Sequence, residues 1–193
     1  MIDLTLRFLV NEINRDLSPG GAGEFVILGN IARVESGNEA GDDGLQTQVV
    51  LTLVNIEEEK TLKNNPNFVL ENQRARKFQP PLYLNLYLLF SCADSNYGSA
   101  LTKISRLIGF FQRKYAFNED NALEPFPIGL EQVHLDLHSL SMEQLNHLWG
   151  VLGSKYFPSA LYRLRLTPVQ TTVEAEVSVV TSVQVTGKIL VEP

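Results

Sequence analysis

Pro80-Pro81-Leu82-Tyr83-Leu84-Asn85-Leu86-Tyr87-Leu88-Leu89-Phe90-Ser91 is the stretch whose reading decides the fold. The two prolines set φ and bias the chain toward an extended path, and the residues after them keep a period of two, so the stretch reads as a β-strand. Leu82, Leu84, Leu86, Leu88 and Phe90 fall on one face; Tyr83, Asn85, Tyr87 and Leu89 fall on the other. Neither face is written for open water, which places the strand centrally in a sheet. The second face is amphipathic. Covered tyrosine hydroxyls and a carboxamide need hydrogen-bond partners, which suits a covering layer with polar edges or another subunit.

Downstream, Ser95 or Asn96 can cap a helix in which Tyr97, Leu101, Ile104, Ile108, Phe111 and Tyr115 keep helical spacing, with Ala100 and Leu107 widening the stripe. Its length, about 28 Å, matches a strand of about nine residues, so it is the expected main cover of the sheet, over the leucine face. Arg106, Gln112, Arg113 and Lys114 face elsewhere, the last two near the helix C-terminus where cations are favoured. A polar loop, 118–127, follows. Ser141-Met142-Glu143-Gln144 reads as a capping box that opens a short helix with Leu145, Leu148, Trp149 and Leu152 inward, ended by Gly153. Ala160-Leu161-Tyr162-Arg163-Leu164-Arg165-Leu166 is a further strand. Arg163 and Arg165 share a face with Leu161, which suggests an exposed edge or an interface.

Upstream, Ile2, Leu6, Leu9, Val10, Ile13 and Leu17 recur at helical spacing, with Asp3, Arg7, Asn11, Glu12 and Asp16 on other faces, and Ser18-Pro19-Gly20-Gly21 stops the helix. The run 24–34, bent or bulged at Gly29-Asn30, and the strand 45–56 are expected to pair as a hairpin across the glycine-rich turn 37–44. Residues 64–79 show no periodicity and read as a long loop. Its Phe68, Val69, Leu70 and Phe78 are too apolar for a solvated linker, so it should pack on this chain or on a partner. At the other end, 171–191 alternates through Val173, Ala175, Val177 and Val179, then Val183, Val185, Ile189 and Val191. Such a segment must pair, either with its own sheet or with the sheet of another chain.

His134, Asp136 and His138 stand on one side of a strand, the one constellation with a chemical look. Neighbours spaced i, i+2 lie about 7 Å apart, so three ligands from one strand splay too widely for one ordinary metal ion, and a solvent face is the simpler reading. With His147 these are all the histidines, and no serine or cysteine elbow accompanies them. No catalytic residue, metal or cofactor is expected.

At 193 residues and 44% hydrophobic, the chain can bury a sizeable core. Its formal charge of −6 argues against unassisted binding to nucleic acid or an anionic membrane, and Arg74, Arg76 and Lys77 form only a short basic cluster beside Glu71. Cys92 is the single cysteine, so no intrachain disulfide can form, which fits folding in a reducing compartment; it follows the central strand and reads as a small buried hydrophobe. Neither a secretory signal nor a membrane span is expected. The expected fold is α+β: a mixed, mainly antiparallel sheet with an N-terminal helix, one long covering helix and one short helix over 1–170, and a β extension over 171–193.

Four motifs taken in order carry a resemblance. They are 53–64 (Leu-Val-Asn-Ile-Glu-Glu-Glu-Lys-Thr-Leu-Lys-Asn), Pro80-Pro81-Leu82-Tyr83-Leu84-Asn85-Leu86-Tyr87, 140–149 (Leu-Ser-Met-Glu-Gln-Leu-Asn-His-Leu-Trp), and Tyr156-Phe157-Pro158-Ser159 with Tyr162-Arg163-Leu164-Arg165. Over roughly 1–170 the chain resembles the N-terminal domain of tail-cap proteins, the terminators of phage-tail-like extracellular contractile injection systems of the antifeeding-prophage and Photorhabdus virulence-cassette type. The resemblance implies a non-enzymatic homohexameric ring that ends the inner tube, contacts the sheath protein of the last ring and is assembled in the cytoplasm, within a particle that can be released. It also implies that larger relatives continue into a further C-terminal domain beyond the point where this sequence stops. A baseplate or tube adaptor of the same particle, and a metal-dependent enzyme using His134, Asp136 and His138, are the competing readings. Phe68, Phe78, Arg163, Arg165, Val173, Val177 and Val179 are the expected partner-binding residues, the last three through strand addition.

Overall fold

The computed structural model describes residues 1–19, 23–35, 46–59, 68–71, 74–77, 82–168 and 175–177. The chain divides into two compact units, 1–60 with 82–169 and 61–81 with 170–193. In the first, strands β1 (Val26–Leu28), β2 (Val49–Glu58), β5 (Leu84–Cys92), β6 (Ala116–Phe117), β7 (Leu130–Leu137) and β8 (Ser159–Pro168) form one sheet in the order β1-β2-β5-β8-β7-β6. Helices α1 (Ile2–Leu17), α2 (Tyr97–Arg113) and α3 (Met142–Leu152) complete the α+β architecture. The second unit contains β3 (Phe68–Glu71), β4 (Arg74–Lys77) and β9 (Ala175–Val177) as an antiparallel sheet in the order β3-β4-β9.

The leucine-rich strand β5 is interior, flanked antiparallel by β2 and β8 along its whole length. Leu86, Leu88 and Phe90 are fully buried in a core closed by α1 and α2, with Leu9, Ile13, Ala100, Ile104, Leu107, Phe110 and Phe111 opposite. Burying each of the three against water contributes about 1.5–3 kcal/mol. On the other face, Leu89 joins Val50, Leu161, Trp149 and Ile31 in a smaller cluster beneath α3 and the 3₁₀ helix Ile31–Glu35. Both faces of β5 are therefore covered, as its alternation requires, and Cys92 is buried at its end.

Several expectations change. β1 pairs with β2 in parallel, Val26 opposite Val49 and Leu28 opposite Leu51, so the two runs are not a hairpin. Gly29-Asn30 ends β1 instead of bulging it. The Asn30 carboxamide accepts from Ala32 N at 3.0 Å and opens the 3₁₀ helix, which turns the chain out of the strand. A parallel partner needs a crossover of a dozen or more residues, and 29–48 supplies it. The second run begins at Val49 rather than at 45. Within 64–79, expected as a loop, the strands β3 and β4 pair in register Phe68 with Lys77. The stripe on α2 is rotated from the expected one: Ala100, Ile104, Leu107, Phe110 and Phe111 face the core, whereas Tyr97, Leu101, Ile108 and Tyr115 are exposed.

The cations at the end of α2 and the polar residues of α1 were expected on faces other than the apolar stripes, and they clamp the two helices together. Glu12 is fully buried and accepts from Lys114 Nζ at 2.8 Å and from the backbone N–H groups of Leu123 and Glu124 at 2.5 and 2.7 Å. Arg106 donates to Leu17 O at 2.7 Å and lies over the Phe25 ring, and Arg113 pairs with Asp16 at 2.9 Å. Helical spacing alone places Glu12 beside the apolar stripe; the lysine that makes its burial tolerable is a hundred residues away.

α1 also finishes one edge of the sheet. Asn14 Nδ2 donates to Val26 O at 2.8 Å, while Asn14 Oδ1 accepts from Phe25 N at 2.9 Å and Val26 N at 2.8 Å. One carboxamide thus supplies the donor and acceptor that a further strand would supply.

Candidate functional site

The alternation that buries Leu130, Val133 and Leu135 of β7 in the core shared with α1 and α2 turns His134 and Asp136 to the opposite face, where β8 presents Arg163 and Arg165. In register, Asp136 lies opposite Arg163 and His134 opposite Arg165. Asp136 collects all three cationic or imidazole neighbours: His134 Nε2 at 3.0 Å, Arg165 at 2.7 Å and Arg163 at 3.4 Å. Partial burial works to raise the Asp136 carboxyl, and the His134 hydrogen bond with the two guanidinium charges outweighs it, so the group stays below the usual carboxylate range. This is an ion-paired ladder in which two guanidinium groups share one carboxylate. A carboxylate engaged by three donors is poorly placed to take a proton from a substrate.

The stripe continues across β5 and β2. Tyr87 donates to Glu57 at 2.9 Å, and burial together with that acidic partner raises its hydroxyl above the ordinary value. Asn85 donates to Glu59 at 2.9 Å. His138 packs edge-on against Tyr87 with ring centroids 5.3 Å apart, and His134 does the same with Tyr115 at 5.2 Å. The two imidazoles therefore turn to different partners instead of converging with Asp136 on one point. Among the described residues no group of three or more histidines, cysteines and carboxylates has the placement to hold a metal ion.

α3 covers the apolar half of the same face. Ser141 Oγ accepts from Gln144 N, and Gln144 Oε1 accepts from Ser141 N, the reciprocal cap that the motif implies, while Gly153 closes the helix at φ +66°. Trp149 is the buried anchor of α3, packed edge-on against Phe157 and Tyr156. Met142 and Val151 stay exposed on its outer side.

Of the expected partner-binding residues, Arg163 and Arg165 sit together on this face beside Leu161, bound to Asp136. Phe68 opens β3 and Val177 closes β9, so these two belong to the second unit. Phe78, Val173 and Val179 lie outside the described residues. Sequence reading missed the apolar margin between α2 and the end of β7. There Leu137 is 56% and Ile108 37% exposed, above two adjoining hollows of about 370 and 340 Å3 that both residues line. Leu137 breaks the burial pattern of its own strand, and that is a signal only once the neighbouring strand is known to stop short. Among the described residues no helix is long and apolar enough to cross a membrane.

The fold is similar to that of the anti-feeding prophage cap, a tube-terminating cap determined by cryo-EM, with a TM-score of 0.57 at 12% identity over 96% of this chain and 60% of that one. It is also aligned with the sheath/tube terminator of an extracellular contractile injection system, in its extended state, with a TM-score of 0.48 at 13% identity over 94% of this chain and 63% of that one. The chain thus spans less than two thirds of the length of either structure. No individually curated protein matches it. Its sequence matches the family described as the Pvc16 N-terminal domain over residues 4–182, which is nearly its whole length, and the chain belongs to that family.

Proposed function

We propose that the protein is a structural cap: a ring of six copies that ends the inner tube of a phage-tail-like contractile injection particle and contacts the last ring of sheath. The observation that carries this reading is the family match over 4–182, supported by a fold shared with a tube-terminating cap. The surface chemistry agrees with a part that works by fit. Arg163, Arg165 and His134 share the single carboxylate of Asp136 on the outer sheet face, a cluster with positive charge in excess, and such clusters give a docking surface orientation and register more than affinity. Arg163 and Arg165, with Phe68, Phe78, Val173, Val177 and Val179, are the residues assigned to sheath and tube contacts. No role in catalysis, nucleic-acid binding or membrane binding is assigned to the chain; its net charge of −6 disfavours the last two. Assembly takes place in the cytoplasm, before any release of the particle.

The test is electron microscopy of particles carrying a tagged chain, beside particles made without it. The expected result is label at the tube end distal to the baseplate, and loss of uniform length without the protein. Label at the baseplate end would replace the cap with a baseplate or tube adaptor. Particles of normal length and normal ends in its absence would overturn the structural reading.

A further inference from the structure

Along β7 the backbone groups alternate in direction. Leu135 N–H donates outward to Tyr115 O at 2.8 Å, and His138 N–H donates inward to Leu161 O of β8 at 2.8 Å. Leu137 N–H, two residues after Leu135, therefore points outward as well. The strand on that side, β6, has only two residues and pairs with Val133 and His134. Past it the β7 edge presents a free donor, with no finishing group of the kind Asn14 provides at β1 among the described residues.

The two faces beside this edge differ. On the α2 side lie exposed Leu137 and Ile108 and the paired hollows; on the other side lie Asp136 and His138. A strand added here would meet apolar surface with one alternate set of side chains and polar surface with the other. Residues 181–186, Thr-Ser-Val-Gln-Val-Thr, carry that pattern: Val183 and Val185 on one side, and Ser182, Gln184 and Thr186 on the other. They lie outside the described residues, within a run, 178–187, that has no charged side chain to oppose burial. We propose that the open β7 edge receives residues 181–186 of a second copy of the chain as an added strand. Acceptor edge and donor segment are different patches, so the contact is heterologous and repeats head to tail until it closes. The inference rests on the proposed ring only in that copies of the chain meet.

The test uses full-length chains with single cysteines, Leu137→Cys in one and Val185→Cys in the other; Cys92 is buried and stays out of exchange. Mixed under mild oxidation, they should give one disulfide-linked heterodimer, and the double variant should give a ladder of multiples of 21.6 kDa on a non-reducing gel. Gln184→Cys, on the opposite face of the added strand, should cross-link to Leu137→Cys several-fold less. A fast-migrating, internally linked monomer of the double variant, equal yields from Val185→Cys and Gln184→Cys, or no heterodimer would each overturn the inference. Solution mass measured on the same samples separates the two readings. Assembled protein without the cross-link overturns the strand addition alone, and protein that stays monomeric without it overturns the self-assembling ring as well.

Discussion

At the β1 edge of the main sheet the peptide groups of Phe25 and Val26 end on the Asn14 carboxamide, whereas at the β7 edge the N–H of Leu137 ends on nothing among the described residues. Both edges belong to one sheet, and both have an amphipathic helix nearby. The difference is that α1 brings the polar side chain of Asn14 to its strand edge, while α2 places Ile108 beside Leu137 at the other. An unprotected strand edge is a template for pairing, and natural sheets blunt edges they do not use. Among the described residues the contrast separates an edge finished by a side chain of α1 from an edge with no such group.

The largest effect should come from unfinishing the closed edge. Asn14→Ala orphans two N–H groups and one carbonyl that are partly buried, at about 1–3 kcal/mol for each group left without a partner and less where water reaches it. About 2 kcal/mol in total is expected, a fall of roughly 4–8 °C in the thermal midpoint for a chain of this size. The variant should also gain concentration-dependent association through β1. Asn14→Asp, which keeps the acceptor and loses the donor, should lie between. A midpoint within 1 °C of the parent would mean that water replaces the carboxamide and that the edge was never closed.

How much of this contrast was legible in the sequence follows from distance along the chain. The interior strand, the helix limits, the capping box and the Gly153 stop were all legible, because each depends on spacing within a dozen residues or fewer. The parallel β1–β2 pairing was not, since the direction of a partner strand is set by a crossover and not by the pattern of either strand. Burial of Glu12 was illegible because Lys114 lies far along the chain, and the capping of β1 by Asn14 was illegible although Phe25 and Val26 are near in sequence, because only tertiary packing folds them back onto α1. At the candidate site, the placing of Arg163 and Arg165 on one face with Leu161 was readable from alternation. Their common acceptor Asp136 was readable only as a polar residue on the outer face of its own strand, because sequence cannot say which strand lies next to which.

A middle-sized effect tests whether the ladder beside the open edge steadies it. The Asp136 carboxyl is held below its unfolded value by His134 and the two arginines despite partial burial. A carboxyl depressed on folding contributes stability above its unfolded value, about pH 4, and the contribution is lost as pH falls through the lower folded value. Asp136→Asn should therefore cost less than about 1 kcal/mol at pH 7, as expected for a partly exposed ion cluster. The parent and variant stability curves should converge below pH 4. Curves that stay parallel down to pH 2 would remove the ladder from the account of this edge.

The smallest effect on the isolated fold is also the one that bears most directly on the comparison. Leu137 is more than half exposed, its N–H points away from β8, and its side chain lies at the margin of the core instead of inside it. Leu137→Lys should leave the thermal midpoint within about 2 °C, since surface substitutions away from caps and cores fall within roughly 0.5 kcal/mol. Lysine is at the same time the residue by which natural sheets close an edge, through the cost of burying its charge under an incoming strand. The variant should therefore keep the fold and lose the self-association, so that both edges become closed ones. If it instead loses as much stability as Asn14→Ala, Leu137 is part of the core, and the β7 edge is as finished as the β1 edge.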